Sequence, residues 1–388
     1  MSYNILALNN ISDKGLSLLP SSEYSIAEEL NRPDGILLRS YNMHEYAIPD
    51  SLKAVGRAGA GVNNIPIDKM SDAGVVVFNA PGANSNAVKE LVIASMLMAC
   101  RNLPAGQNFA KSLEGSDTEI HKQVENGKKN FAGFELPGRT LGVIGLGAIG
   151  VRIANAAKRL GMRVIGFDPL ISIESAWDLD ADVEKAKNLD HVLSEADFIT
   201  FHVPLVEATK DIINADSLEK MKDNVIILNF ARNGIVNDEA VCKGIDSGKV
   251  HSYFCDFPSN LLNANDGVVT FPHLGASTRE AEENCAIMVA EQVKDYLENG
   301  NIKNSVNLPN IDSPRKGAAR ITIMNKNVPD MLGQVSHILG KANVNINHMV
   351  NDSRDDLAYT LVDVDSTISQ EVEMELAGIE GVLRLRVL

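Results

Sequence analysis

The stretch that most limits what this chain can fold into is Leu141–Gly150, "LGVIGLGAIG". An apolar run meets Gly145, Gly147 and Gly150 at G-x-G-x-x-G spacing, and the helical pattern "VRIANAAKRLG" follows. The first glycine permits a tight turn, the second lets a ligand approach the backbone, and the third lets helix and strand pack closely. The free N–H groups at the helix start, Gly147, Ala148 and Ile149, then face the position a pyrophosphate would take. The next apolar run, "RVIGF", ends in Asp168. A carboxylate at that distance suits ribose hydroxyls and repels a ribose phosphate, which points to NAD rather than NADP.

The rest of the chain extends this pattern. Four further apolar runs, in "ADFITFHV", "NVIILNFA", "HSYFCDF" and "VVTFP", complete six strand candidates for a doubly wound parallel sheet. Residues 1–97 alternate short apolar runs ("NILAL", "GILLRS", "GVVVF") with helical sequence, as a second parallel sheet requires. Residues 277–299 read as one helix with Ala281, Cys285, Met288, Val289 and Val293 on one face. The Asn-, Pro- and Gly-rich run that follows marks a domain boundary. Residues 318–388 read strand, helix, strand, strand, helix, strand, the order of a ferredoxin-like α+β unit.

Composition bounds the function. At 388 residues two or three domains are expected. A net charge of −15 without a basic block disfavours nucleic acid and anionic membrane as partners, so an anionic substrate needs local arginines. No apolar run has the length of a membrane helix, and "MSYNILALNN" lacks the layout of a signal peptide. Cys100, Cys242, Cys255 and Cys285 are scattered without metal-ligand spacing, so no metal is expected and a cytoplasmic location is.

Several charged residues directly follow strand candidates, where ligands of such sheets bind. Arg232 follows "VIILNF", and its fork of donors suits a carboxylate; the bland alternative pairs it with Asp238 or Glu239. His273 follows "GVVTF", and His202 follows "DFITF" as a structural or cofactor-side residue. Arg39 and Arg57 follow strands of the first sheet, with Ser40 and the turn Gly59, Ala60, Gly61 beside them.

The chain resembles the D-isomer-specific 2-hydroxyacid dehydrogenase family over its first ~308 residues. The likeness rests on "RAGAGVNNI", "NAPGANSNAVKE", "LGVIGLGAIG", "HVPL", "NFARNGIVND" and "PHLGAST", in the family's order. It implies a Rossmann-type cofactor domain, residues 98–284, inserted in a flavodoxin-like substrate domain, residues 1–97 and 285–308. Residues 309–317 then form a linker to a C-terminal ACT-like regulatory domain, 318–388. The resemblance further implies Arg232 as carboxylate binder, His273 as acid/base, and Arg39, Ser40, Arg57 and Gly59–Gly61 toward a substrate phosphate. It puts His202, Val203, Pro204, Phe230, Ala231, Arg232, Asp256, His273, Gly275 and Ala276 beside NAD.

The family's glutamate partner of the histidine is missing, because its position falls on Leu261 or Asn260. Three readings stay open: Asp266 reaches His273 from a shortened loop, Asn260 orients the ring without changing its charge, or the histidine works without a partner. The implied reaction is NAD-dependent oxidation of 3-phospho-D-glycerate, the first step of L-serine biosynthesis. The ACT-like unit implies an L-serine effector at Asn325, Asn327 and Asn345, and a homodimer or homotetramer. The alternatives are a dehydrogenase of another D-2-hydroxy acid, a 2-oxoglutarate reductase, and an NAD-sensing co-repressor.

Overall fold

In a computed structural model, which describes residues 2–388, the chain divides into two units: residues 1–83 with 282–388, and residues 84–281. The first unit begins with five parallel strands, β1 (Tyr3–Leu8), β2 (Tyr24–Ala27), β3 (Gly35–Leu38), β4 (Ala54–Arg57) and β5 (Val76–Phe78). Their order, β2-β1-β3-β4-β5, is flavodoxin-like, as expected. All of β3 and β5 is buried, which is why these strands read as unbroken apolar runs rather than alternating ones.

The second unit holds β6 (Thr140–Ile144), β7 (Arg163–Phe167), β8 (Glu184–Lys185), β9 (Phe198–Phe201), β10 (Val225–Asn229), β11 (Val250–Cys255) and β12 (Val268–Thr270). The order β12-β11-β10-β9-β6-β7-β8 reverses direction at β6/β9, the switch point where such sheets open a crevice. All six expected strands are present. The seventh, β8, is a two-residue exposed edge strand of Glu and Lys, which carries no apolar signal. The helix Ser85–Cys100 packs Val88, Val92, Met96 and Ala99 into the core with Leu141, Val143 and Ile153. The expected boundary at 97/98 therefore falls inside a helix, and the chain leaves the first unit at 83/84.

The helix Arg279–Asn299 carries the chain back into the first unit, where Cys285, Val289 and Val293 join Ile5, Leu37, Ala54 and Phe78 in one core. The Asn-, Pro- and Gly-rich run after this helix, which leads into the segment read as a linker, is tied down. Ser305 bridges to Phe78, Ile302 pairs with Ile311, and buried Asn307 accepts from Val77 N at 2.9 Å and donates to Val75 O at 3.0 Å.

Beyond it, β13 (Ala319–Lys326), β14 (Ile346–Arg354), β15 (Leu357–Val364) and β16 (Val382–Val387) form an antiparallel sheet ordered β14-β15-β13-β16. One face packs Ile321, Ile323, Val362 and Val364 under the helices Met331–Lys341 and Gln370–Ala377. The other puts Met324, Tyr359 and Leu361 into the core shared with the long helix.

Side chains of this sheet also bond the carbonyls at the end of that helix, where the intrahelical partners run out. Arg386 donates to Tyr296 O and Leu297 O, with its guanidinium 4.7 Å from the Tyr296 ring centroid. Arg320 donates to Asn299 O at 2.9 Å, and Tyr359 Oη to Gly300 O at 2.7 Å. Cations there also complement the helix dipole. Arg320 is fully buried and makes a bidentate pair with Asp363 at 2.7 and 2.9 Å. Burial works against the Asp363 carboxylate, but hydrogen bonds from Arg320 and Lys316 N hold its pKa below the usual value.

Removing one member of such a pair leaves an uncompensated buried charge. Asp363→Ala is expected to cost about 3–5 kcal/mol in denaturant unfolding, whereas the apolar double change Arg320→Met with Asp363→Leu is expected to cost clearly less. Equal losses in the two variants would remove the buried pair as the cause.

Candidate functional site

The glycine turn is built from close approaches. Gly145 has φ +92° and donates to Phe167 O at 2.9 Å, and a Cβ on it would lie 2.5 Å from His202 O. A Cβ on Gly150 would lie 1.9 Å from Gly145 O, so helix and turn touch here only because both residues lack one. Gly147 caps the helix Ala148–Arg159, and nothing lies within 4 Å of where its Cβ would be. The open backbone there, with the unpaired first-turn N–H groups of Ala148 and Ile149, fits a dinucleotide pyrophosphate. Asp168 braces the turn: Oδ2 accepts from Leu146 N at 2.8 Å and Oδ1 from Leu170 N at 2.9 Å. Each oxygen keeps a lone pair for ribose hydroxyls.

Across the switch point, His202 follows β9. Its Nε2 lies 2.8 Å from Thr200 Oγ1, while Nδ1 is buried without a partner. Burial pushes its pKa down to about 3, so it stays neutral and serves no proton transfer near neutral pH. Val203 and exposed Pro204 continue the loop.

Beyond β10, Phe230 is buried with its ring centroid 6.2 Å from that of Phe271. Asn229 ties the following turn, donating to Arg232 O at 2.9 Å and accepting from Ala231 N at 3.2 Å. Arg232 is exposed, and the only described bond of its side chain is Nη1 to Ala231 O at 2.7 Å. No ion pair joins it to Asp238 or Glu239 among the described residues, so its fork is available to a ligand.

His273 leaves β12 through a turn with φ +55°, a left-handed conformation that costs a non-glycine residue about 1–2 kcal/mol. What holds it is Asp256, at the end of β11 and only 3% exposed. Its Oδ1 accepts from Leu274 N at 2.9 Å and its Oδ2 from Gly275 N at 2.8 Å. Ala276 follows, half-buried. Phe257, next to Asp256, meets the His273 ring edge-on, with centroids 5.7 Å apart and planes at 80°.

Two of the three proposed answers to the missing glutamate fail. Asp266 is exposed and precedes β12, whereas His273 follows it. The two steps along the strand alone separate its ends by about 7 Å at about 3.3 Å each, and no hydrogen bond or ion pair joins Asp266 to His273 among the described residues. Asn260 opens the short helix Asn260–Asn263, and no hydrogen bond joins it to His273; Leu261 is 45% exposed. The ring has no polar partner among the described residues. The sequence reading missed Phe257, although an aromatic residue beside a strand-end aspartate was there to be seen.

In the other unit, Arg39 and Arg57 stand together at the ends of β3 and β4. Arg57 Nε donates to Arg39 O at 3.1 Å, and its guanidinium lies over Gly59, where a Cβ would be 1.9 Å from Nη1. Ala60 O accepts from Asn79 Nδ2 at 2.7 Å; Gly61 is half-buried and Ser40 exposed. Arg39 has an acid partner, Glu282, at 2.6 Å. Burial raises the nearby Cys285 thiol, and both guanidinium charges pull against that rise.

The three asparagines do not come together. Asn325 lies within β13, 2% exposed, with Nδ2 donating to Lys326 O at 2.7 Å. Asn327 donates to Asp355 O at 3.3 Å, at the end of the sheet where β14 turns into β15. Asn345 precedes β14 at the opposite end, where its N–H bonds to Asp365 Oδ1 at 3.3 Å. The eight steps along the nine residues of β14, at about 3.4 Å each, put roughly 27 Å between the two ends. No single amino acid spans that distance, and the expected grouping is not assembled within one chain.

The sequence model described as "D-isomer specific 2-hydroxyacid dehydrogenase, NAD binding domain" matches residues 93–275. A D-3-phosphoglycerate dehydrogenase of Methanocaldococcus jannaschii is 38% identical over 74% of this chain and 53% of its own length. This chain thus spans about half of that relative. One of Haemophilus influenzae is 31% identical over 87% of this chain and 81% of its own. Among solved structures, NAD+-bound 3-phosphoglycerate dehydrogenase of Entamoeba histolytica superposes with a TM-score of 0.60 at 24% identity, covering 79% of this chain and 99% of that one.

The Asp256 clamp has a direct consequence. In Asp256→Asn one carboxylate acceptor becomes an NH2 group facing an N–H donor. Stability is expected to fall by about 1–3 kcal/mol in denaturant titrations, with faster hydrogen exchange at Leu274 and Gly275. Unchanged exchange at those two amides would contradict the clamp.

Proposed function

The chain belongs to the D-isomer specific 2-hydroxyacid dehydrogenase family, and from that premise we propose that it oxidises 3-phospho-D-glycerate to 3-phosphohydroxypyruvate with NAD, the first step of L-serine biosynthesis. One observation carries the reading: the glycine turn, Arg232 and His273 all leave the carboxyl ends of strands in one sheet, β6, β10 and β12. The names of the relatives supply the substrate.

In this mechanism Arg232 takes the substrate carboxylate through its unpaired donors and fixes C2 in one orientation. Neutral His273 accepts the hydroxyl proton as the C2–O bond gains double-bond character, and its imidazolium returns that proton in reduction. Bound NAD supplies the acceptor for the C2 hydride. Gly147, Ala148 and Ile149 would hold its pyrophosphate and Asp168 its ribose. Neutral, half-buried His202 and buried Phe230 exclude water from the cofactor side. Arg39 and Arg57, with the Gly59–Gly61 amides and Ser40, bind the substrate phosphate, and Arg39 exchanges or shares Glu282 when it does so.

The regulatory part of the reading rests on the C-terminal unit as an ACT-like domain. L-serine bridging Asn327 and Asn345 requires a second copy of the chain, set antiparallel along the exposed edge strand β14, in a homodimer or homotetramer. The four buried free thiols fit the reducing cytoplasm in which we place the protein.

Steady-state NADH formation tests this. 3-Phosphoglycerate is the expected substrate, and D-glycerate, without the phosphate, is expected to react at least about 100-fold less efficiently, as loss of a charged contact implies. His273→Asn is expected to lower kcat by about 10²–10⁴. Equal kcat/KM with and without the phosphate would move the assignment to another D-2-hydroxy acid.

A further inference from the structure

The acid/base reading leaves His273 without the carboxylate that normally fixes the orientation of an imidazole, and the orientation must come from elsewhere. The backbone half is accounted for by the two bonds from the Leu274 and Gly275 amides to Asp256. Those bonds place the Cβ of His273 but leave its side-chain torsions free. The only described contact to the ring is the edge-on one from Phe257, with centroids 5.7 Å apart at 80°.

Phe257 is suited to the task. It follows Asp256 directly, so the residue that clamps the backbone and the residue that meets the ring are fixed by the same strand end. It also packs against the core cluster that contains Tyr253, Cys255 and Leu262, which anchors it in a way an exposed side chain could not be. An edge-on aromatic contact favours one ring orientation without adding a charge.

We propose that Phe257 is the positioning residue for the His273 imidazole, taking the orienting role that a carboxylate would otherwise fill. This rests on the dehydrogenase reading for its kinetic consequence and on geometry alone for its structural one. Phe257 does not touch the reacting atoms; it narrows the torsional range from which Nε2 or Nδ1 can take the hydroxyl proton.

The test uses the full chain with saturating NAD and compares wild type, Phe257→Leu and Phe257→Tyr. The proposal expects Phe257→Leu to lower kcat by about 10- to 100-fold with little change in KM, as a misaligned catalytic group does. Phe257→Tyr, which keeps the ring, is expected to restore kcat to near wild type. In NMR spectra the His273 ring protons, displaced by the Phe257 ring current, are expected to move back toward their free positions in Phe257→Leu alone. Wild-type kcat in Phe257→Leu would overturn the proposal, as would equal losses in the Leu and Tyr variants. If the wild type oxidises no 2-hydroxy acid, the functional reading has failed by itself and the NMR comparison decides: displaced signals sustain the positioning role and unmoved ones overturn it.

Discussion

The site depends on one buried carboxylate. Asp256 gives both oxygens to consecutive amides beyond the end of the neighbouring strand, and so joins the ends of β11 and β12 into one rigid corner. Without it two N–H groups would lose their partners, one of them buried, and His273 would have nothing to offset its left-handed backbone. A histidine on a loose loop samples many orientations. On this corner its Cβ is fixed, and a single aromatic neighbour is enough to address its ring.

The same device occurs a second time in the sheet. Asp168, one residue past β7, holds Leu146 N in the glycine turn beyond β6, as Asp256, one residue past β11, holds the turn beyond β12. In each case a strand-end aspartate braces the turn of the adjacent parallel strand with charge-assisted bonds. This explains how open, glycine-rich backbone can stay ordered where a ligand must approach it. It also gives Asp168 a structural role in addition to the ribose contact read from the sequence.

How much was legible follows from what each residue reports locally. The six apolar strands, the glycine turn and the long helix announce themselves, because burial on both faces and close approach leave unbroken apolar runs, periodic stripes and fixed glycine spacing. β8 did not, since a polar edge strand of two residues is indistinguishable from loop. The 83/84 division was missed because the apolar stripe of Ser85–Cys100 says that the helix is buried but not in which core. Asn325 was expected beside an effector because the sequence does not show that the ladder of β13 continues to Lys326 and buries it. Nor could it show that Arg320, Arg384 and Arg386 turn inward, since arginines in a strand are ordinarily read as its solvent face. Here they meet helix-end and loop carbonyls that are far away in sequence.

The central claim is that His273, fixed by the Asp256 corner, moves the hydroxyl proton as the hydride leaves C2. It is tested most directly by single-turnover mixing of the NAD-loaded protein with 3-phospho-D-glycerate carrying deuterium at C2, in parallel for wild type and His273→Gln. The account predicts a clear slowing of NADH formation by deuterium in the wild type. In the variant it predicts formation slowed by about 10²–10⁴ with NAD binding retained. NADH formation in His273→Gln at the wild-type rate would contradict it.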